Sequence, residues 1–242
     1  RAGVPRPWRR FVRPSVHLGG DYMLPDALPL SLAHGLLAAE MGMNLQMALG
    51  WRRHLLIHAS AVEKDGRALI LTGESGSGKS TLAAMLGERG WRLLGDEFTL
   101  LDLDSDSVRG FPRLVSLKNA GIAAVEAVVD PVRFGPRLVN TPKGAIRHLV
   151  PRADAIARMD EPAIPALLLY PRFGFAATMR PVAASENFMR LTQASTNYVA
   201  LGERGFRTLS RFVETVPAVA VDYSDGEAGI AEVERLWAEY VR

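Results

Sequence analysis

Two stretches of this chain hold residue types that could do chemistry. The first is Gly73-Glu74-Ser75-Gly76-Ser77-Gly78-Lys79-Ser80-Thr81. Its Gly73, Gly78, Lys79 and Ser80 satisfy G-x-x-x-x-G-K-[ST], the phosphate-binding P-loop. Glycines let consecutive backbone N–H groups turn toward one anion, and a helix starting at Lys79 adds its positive end. Lys79 can reach β- and γ-phosphates, and the Ser80 hydroxyl can ligate Mg²⁺. The second stretch is Asp96-Glu97, which follows a hydrophobic run 17 residues after Lys79. Two carboxylates beside a metal and a γ-phosphate have two jobs: holding the metal and accepting a proton from an attacking hydroxyl.

Three further residues are candidates. His58 faces the loop's strand across a hairpin and is expected near the same site. The chain has four lysines against 25 arginines. Arginine is therefore the default cation, and Lys118 and Lys143 stand out with Lys79 as compact phosphate-binding charges.

The elements that must position these residues can be read from pattern. The run over 67–72 is a buried strand feeding the loop, and the pattern over 79–89 is a helix ending at Gly90. A strand over 54–63 precedes, joined by a turn at 64–67. The loop's strand then pairs antiparallel with its predecessor, so the sheet is mixed. Further strands are expected at 91–94, 98–103, 113–118, 146–150, 166–170, 179–182 and 217–223. Helices are expected at about 30–50, 120–129, 185–200, 203–214 and 227–241, with an irregular Pro- and Gly-rich stretch to about 145. The first 14 residues hold five arginines and three prolines and read as a basic arm; residues 15–242 read as a single domain.

Composition excludes several classes. With 242 residues, 48% hydrophobic and 23% charged, the chain has the make-up of a soluble globular protein. The absence of cysteine rules out disulfides, thiolate metal sites and a cysteine nucleophile. A net charge of +3 gives no general case for nucleic acid, and only the Arg-rich arm hints at one. The most apolar run, 28–49, is too polar for a membrane span, and no secretory apolar core is present near Arg1. The expectation is a cytoplasmic protein.

His58 to Val62, the stretch from Leu69 to Thr81, and Arg89 to Glu97 together resemble the catalytic domain of HPr kinase/phosphorylase in residue types and spacing. The chain is more similar still to the HPr-kinase-related group of P-loop kinases. The shared patterns are Pro112 to Asn119, Thr141-Pro142-Lys143-Gly144, and Asn197-Tyr198 through Gly205-Phe206. The resemblance implies an α/β fold with a mixed sheet, related to phosphoenolpyruvate carboxykinase. It implies transfer of the γ-phosphoryl group of ATP to a serine hydroxyl of a protein. By the same resemblance Asp96 is the general base, Ser80 a Mg²⁺ ligand, Glu97 a second acid near the metal, and His58 a neighbour of the transferred phosphate. Lys118 falls on a basic position of the family's second signature. Ser116 departs from that signature, which has a carboxylate there, so metal holding rests on Asp96 and Glu97. The HPr-specific N-terminal domain is not recognisable, and HPr itself is not the expected acceptor. Relatives assemble into oligomers, which makes a homo-oligomer the expectation.

The sequence thus predicts an ATP- and Mg²⁺-dependent kinase acting on a hydroxyl of a protein or peptide, with neither nucleic acid nor membrane as partner. Replacing Asp96 by Asn is expected to abolish transfer and spare ATP affinity. A small-molecule kinase on the same site and a non-catalytic ATP-binding module are the alternatives.

Overall fold

A computed structural model describes residues 2–3, 15–23 and 30–241. The centre is a six-stranded mixed sheet. Its strands are β4 (Ala59–Lys64), β5 (Arg67–Thr72), β6 (Arg92–Gly95), β12 (Ile164–Phe173), β13 (Thr178–Pro181) and β14 (Ala218–Tyr223), in the spatial order β13-β14-β12-β5-β4-β6. β5 is its hinge point: β12 runs parallel on one side and β4 antiparallel on the other. The β4–β5 turn is made by Asp65 and Gly66, both at positive φ (54° and 78°), as a two-residue hairpin with right-handed strand twist requires.

Strand periodicity divides the core in two. Leu69 and Leu71 of β5 and Leu167 and Leu169 of β12 point into one layer. Ile70 and Leu168, one residue out of phase, point into the other. The first layer is closed by α2 (Lys79–Glu88), α3 (Ala120–Glu126) and α8 (Gly226–Tyr240), through residues such as Leu86, Ile122 and Ile230. The second is closed by β3 (His54–Ile57), β7 (Thr99–Asp102), α5 (Ala184–Ala194) and α7 (Glu203–Thr215), through Leu55, Leu101, Leu191 and Phe212. Because both faces are covered, β5 is apolar without alternation and every residue of it after Arg67 is buried.

Two smaller three-stranded sheets flank the main one. β3, β7 and β8 (Val108–Arg109) form one. β9 (Val115–Lys118), β10 (Phe134–Thr141) and β11 (Gly144–Leu149) form the other. α1 (Gly35–Gly50) is tied to this second group by Glu40, which accepts from the His148 ring at 2.8 Å and lies 3.9 Å from the Arg113 guanidinium. The remaining elements are α4 (Ala153–Ala157), α6 (Tyr198–Leu201), two 3-10 turns (Leu32–His34 and Pro131–Arg133), and the short pair β1 (Ala2–Gly3) and β2 (His17–Leu18). Apart from that pair, the basic arm expected over 1–14 lies outside the described residues.

Three expectations are corrected. The strand expected over 54–63 is two strands in two different sheets, broken at His58. The His58 N–H there leaves the ladder for the Ala194 carbonyl at 2.8 Å, and its own carbonyl accepts from Thr72 Oγ1 at 2.9 Å. The stretch expected to be irregular before 145 is the β10–β11 hairpin. Its Pro and Gly content hid it, and only Leu138 and Thr141 of β10 are buried. The helix expected over 185–200 stops at Ala194, because the chain at 195–197 is captured by β3. The buried Asn197 side chain accepts from Leu56 N and donates to the carbonyls of Trp51 and His54. Among the described residues no helix is long and apolar enough to cross a membrane.

Candidate active site

β5 ends at Thr72, and the chain turns through Gly73–Gly78 into α2. Gly73, Gly76 and Gly78 all have positive φ (146°, 87° and 97°), a region L-residues avoid. Gly78 is doubly required: a Cβ there would overlap the Tyr223 hydroxyl. That hydroxyl donates to the Ser77 carbonyl at 3.2 Å and so pins the loop to the end of β14. Glu74, Ser75 and Gly76 are exposed at the loop's crest. Thr81, one turn into α2, lies against Gly121 at the start of α3, where there is no room for a side chain.

Two features of the loop suit an anion. The Ser77 Oγ is buried and has no hydrogen-bond partner among the described residues, a donor left unused at a cost. Lys79 is 7% exposed and folds back so that its ammonium donates to the carbonyls of Gly73 and Glu74, each at 2.8 Å. Burial holds its pKa below the ordinary lysine value, opposed by Asp96 and aided by Lys118.

Directly beside the loop, β6 delivers Asp96, which is 3% exposed. Its Oδ1 accepts from Ser60 Oγ at 2.5 Å and from Ser80 Oγ at 2.9 Å. Its Oδ2 accepts from the Ser116 N–H at 3.3 Å. One carboxylate therefore joins β4, α2, β6 and β9 at a point. Both its oxygens are engaged by donors. That setting suits a group that orients Ser80 better than it suits a base waiting for a proton.

Glu97 is different. It is half-buried and sits at φ 76°, a left-handed conformation unusual for a glutamate. Its carboxylate accepts no hydrogen bond from the described residues, yet its charge is felt at His58, Lys79 and Arg113. His58 is held below the ordinary imidazole pKa, by burial first. Lys79 and Lys118 add to this, while Glu97 and Asp96 oppose it. Near neutral pH it is therefore an uncharged imidazole.

The structure thus brings together His58, Lys79, Ser80, Asp96, Glu97 and Lys118, which ends β9. Lys143 stands apart. It is exposed in the β10–β11 turn, and it is not among the charges acting on His58 or Lys79. That turn still reaches the loop's surroundings, since Ala145 N donates to the side chain of Asn119, the residue after Lys118. Two residues escaped sequence reasoning. Ser60 is a lone hydroxyl in a strand of small buried residues, and that was the signal available for it. Arg113 is held to α1 through Asn44 at 2.5 Å, and the charges of Glu97 and Asp96 act on it.

Magnesium fits this donor set. Among the described residues no group of three or more His, Asp or Glu could cage a metal. Mg²⁺ does not need one, because it is commonly held by one or two carboxylates together with phosphate oxygens and waters. Ser80 and the Asp96 carboxylate that orients it are the residues that would hold it.

No family model and no curated protein sequence matches the chain. Among solved structures it is similar to the Hpr(Ser) kinase/phosphatase from Coxiella burnetii, with 15% sequence identity and a TM-score of 0.34, over 76% of this chain and 98% of that one. At that distance the function has to be read from the loop and its neighbours.

Proposed function

We propose that this chain is an ATP- and Mg²⁺-dependent kinase that transfers a γ-phosphoryl group to a hydroxyl, a serine of a protein or peptide. The observation that carries the reading is the Asp96 carboxylate. It is hydrogen-bonded to the P-loop serine Ser80, with a second, unengaged acid beside it at Glu97. A phosphate-binding loop alone serves many ends. A loop serine oriented by one buried acid, with another acid and a neutral imidazole on the same side, is suited to phosphoryl transfer to an oxygen nucleophile.

The roles divide by environment. The loop amides from Gly73 to Ser80, with the Ser77 hydroxyl, receive phosphate oxygens. Lys79 exchanges its two loop carbonyls for phosphate, a change that favours its charged form. Asp96 fixes the Ser80 hydroxyl so that its lone pair faces the metal position. Bound there, Mg²⁺ would neutralise charge building on the phosphoryl oxygens. Glu97 takes the proton of the attacking hydroxyl, and His58 lies beside it as an uncharged hydrogen-bonding group. Lys118 adds positive charge at the rim. Catalysis of this type is chiefly positioning and electrostatics, since the transition state is loose and charge is spread over its oxygens.

The test is incubation of the purified chain with γ-labelled ATP and Mg²⁺, against a panel of proteins, peptides and hydroxyl-bearing metabolites. Mass spectrometry then identifies the modified acceptor. A phosphoserine in a peptide or protein is expected. A labelled metabolite instead would make this a small-molecule kinase. ATP binding with no labelled product would make it a regulatory module.

A further inference from the structure

The loop has two sides, and the site described above uses one of them. β4 and β6 bring His58, Asp96 and Glu97 to that side. On the other side lie the C-terminal ends of β12 and β14, which run parallel to β5. In open α/β sheets ligands bind beyond the carboxyl ends of parallel strands. A nucleotide whose terminal phosphate faces Asp96 must extend its nucleoside the other way.

Two exposed aromatic side chains outside the core, Phe173 and Phe175, are placed there. Phe173 ends β12 and pairs in register with Tyr223, the end of β14. Their rings lie 5.8 Å apart, and Tyr223 is the residue that pins Ser77. Phe173 also stands next to Gly78, at contact distance from where its Cβ would be. The chain then turns at Gly174 (φ 88°), and the N–H groups of Gly174 and Phe175 both donate to the Tyr223 carbonyl, at 2.8 and 3.3 Å. This holds Phe175 at the end of β14 although the residue is 48% exposed. The Arg172 guanidinium lies 4.1 Å from the Phe175 ring centre. Arg172 is itself fixed by a two-pronged bond to Asp222, at 2.9 and 2.6 Å. Phe175 is thus backed on one face by an anchored cation and open to solvent for nearly half its surface. An exposed aromatic side chain held by a paired cation offers an open π-face beyond the carboxyl end of β12.

We infer that Phe175, backed by Arg172 and flanked by Phe173, is the stacking platform for the base of the nucleotide whose phosphates the loop receives. The inference rests on the proposed nucleotide-binding role of the loop and adds where and how the base is held. The recognition is stacking on a π-face that every base has.

Calorimetric titration of the full chain with Mg²⁺·ATP and with Mg²⁺·tripolyphosphate, which has the phosphates and no base, tests it. The wild type should bind ATP more tightly than tripolyphosphate. Phe175→Ala should weaken ATP by about 5- to 150-fold, the range for losing one base–aromatic stack. Its tripolyphosphate affinity should stay within about twofold, which also shows that the variant is folded. Phe175→Trp should restore ATP affinity. Unchanged ATP affinity in Phe175→Ala, or equal wild-type affinity for the two ligands, would overturn the platform and leave the loop's role standing. Failure of the wild type to bind either ligand would overturn the loop reading and this inference with it.

Discussion

Asp96 and Glu97 are adjacent acids, and removing the charge of each should have opposite signatures. Consider Glu97→Gln first. Glu97 accepts no hydrogen bond from the described residues, so the swap breaks no bond that shapes the loop. Mg²⁺·ATP affinity should move by no more than about threefold. The proposed proton acceptor is lost, however, and general-base catalysis contributes about 10²- to 10⁴-fold, or about 3–5 kcal/mol of barrier. In Asp96→Asn the arithmetic reverses. The aspartate accepts two hydroxyls on Oδ1 and one amide on Oδ2. Asparagine has one acceptor oxygen. The Ser116 N–H cannot rotate and the hydroxyls can, so the oxygen should turn to Ser116 and the new NH₂ toward Ser60 and Ser80. Ser80 then receives a hydrogen on the lone pair meant for the metal. A hydrogen bond to a charged group contributes about 1.5–3 kcal/mol, so Mg²⁺·ATP affinity should fall by about 10- to 150-fold. Single-turnover transfer from γ-labelled ATP, paired with calorimetric titration of Mg²⁺·ATP, separates the two effects. If Asp96→Asn abolishes transfer with metal-dependent affinity unchanged while Glu97→Gln transfers normally, Asp96 is the base after all and the reasoning from its hydrogen bonds fails.

Three other outcomes follow from the same geometry. Gly78→Ala forces a left-handed side-chain position and a collision with the Tyr223 hydroxyl, so it should lose about 1–3 kcal/mol in urea unfolding along with most tripolyphosphate binding. Because burial lowers the His58 pKa, the folded state resists the proton that the unfolded chain accepts. Stability should be fully present above about pH 6.5 and fall as pH drops toward the folded value. His54 is lowered for the same reason, so His58→Asn should flatten only part of that slope in urea melts at pH 7.5 and 5.5. Glu63 and Arg92 form a buried pair at 2.6 Å, and Glu63 also accepts from Gly66 N in the β4–β5 turn. Glu63→Ala leaves the buried guanidinium without its counter-charge, held only by the Arg158 and Glu161 carbonyls, and should cost about 3–5 kcal/mol by thermal melting, whereas a loss under 1 kcal/mol would mean water reaches Arg92.

Much of this was legible in sequence because local chemistry forced it. The β4–β5 hairpin follows from Asp65-Gly66, and the mixed character of the sheet follows from the hairpin. The cluster of Lys79, Ser80, Asp96, Glu97 and His58 was also readable, since each residue sits at the end of an element whose period is plain. What could not be read was set by distant partners. The break at His58 depends on Ala194 and Thr72, 136 and 14 residues away. The end of α5 depends on Asn197 finding three backbone groups near β3. The platform at Phe175 depends on β12 and β14 becoming neighbours, which no local pattern reveals. The proposed division of labour between Asp96 and Glu97 rests on Ser60 and Ser116, which only the fold brings to one carboxylate.

The strain at Glu97 gives an independent way to ask whether this corner is built for function. At φ 76° any side chain with a Cβ is disfavoured, and a fold under selection for stability alone would place glycine there. Glu97→Gly relieves the strain, but it also loosens the unfolded chain, so its comparison with wild type mixes two effects. Glu97→Ala removes the carboxylate and keeps the strain. The pair differs chiefly in backbone freedom, and the glycine variant should be the more stable by about 1 kcal/mol, read from urea midpoints at constant m-value. Both should lack transfer activity to the same extent, because both lack the carboxylate. If alanine proves as stable as glycine, the left-handed backbone is not costly here, and its value as a mark of function disappears. If glycine gains stability and transfer is lost in both, Glu97 stands where local stability has been given up for a correctly aimed acid, the pattern expected of a strained active-site residue.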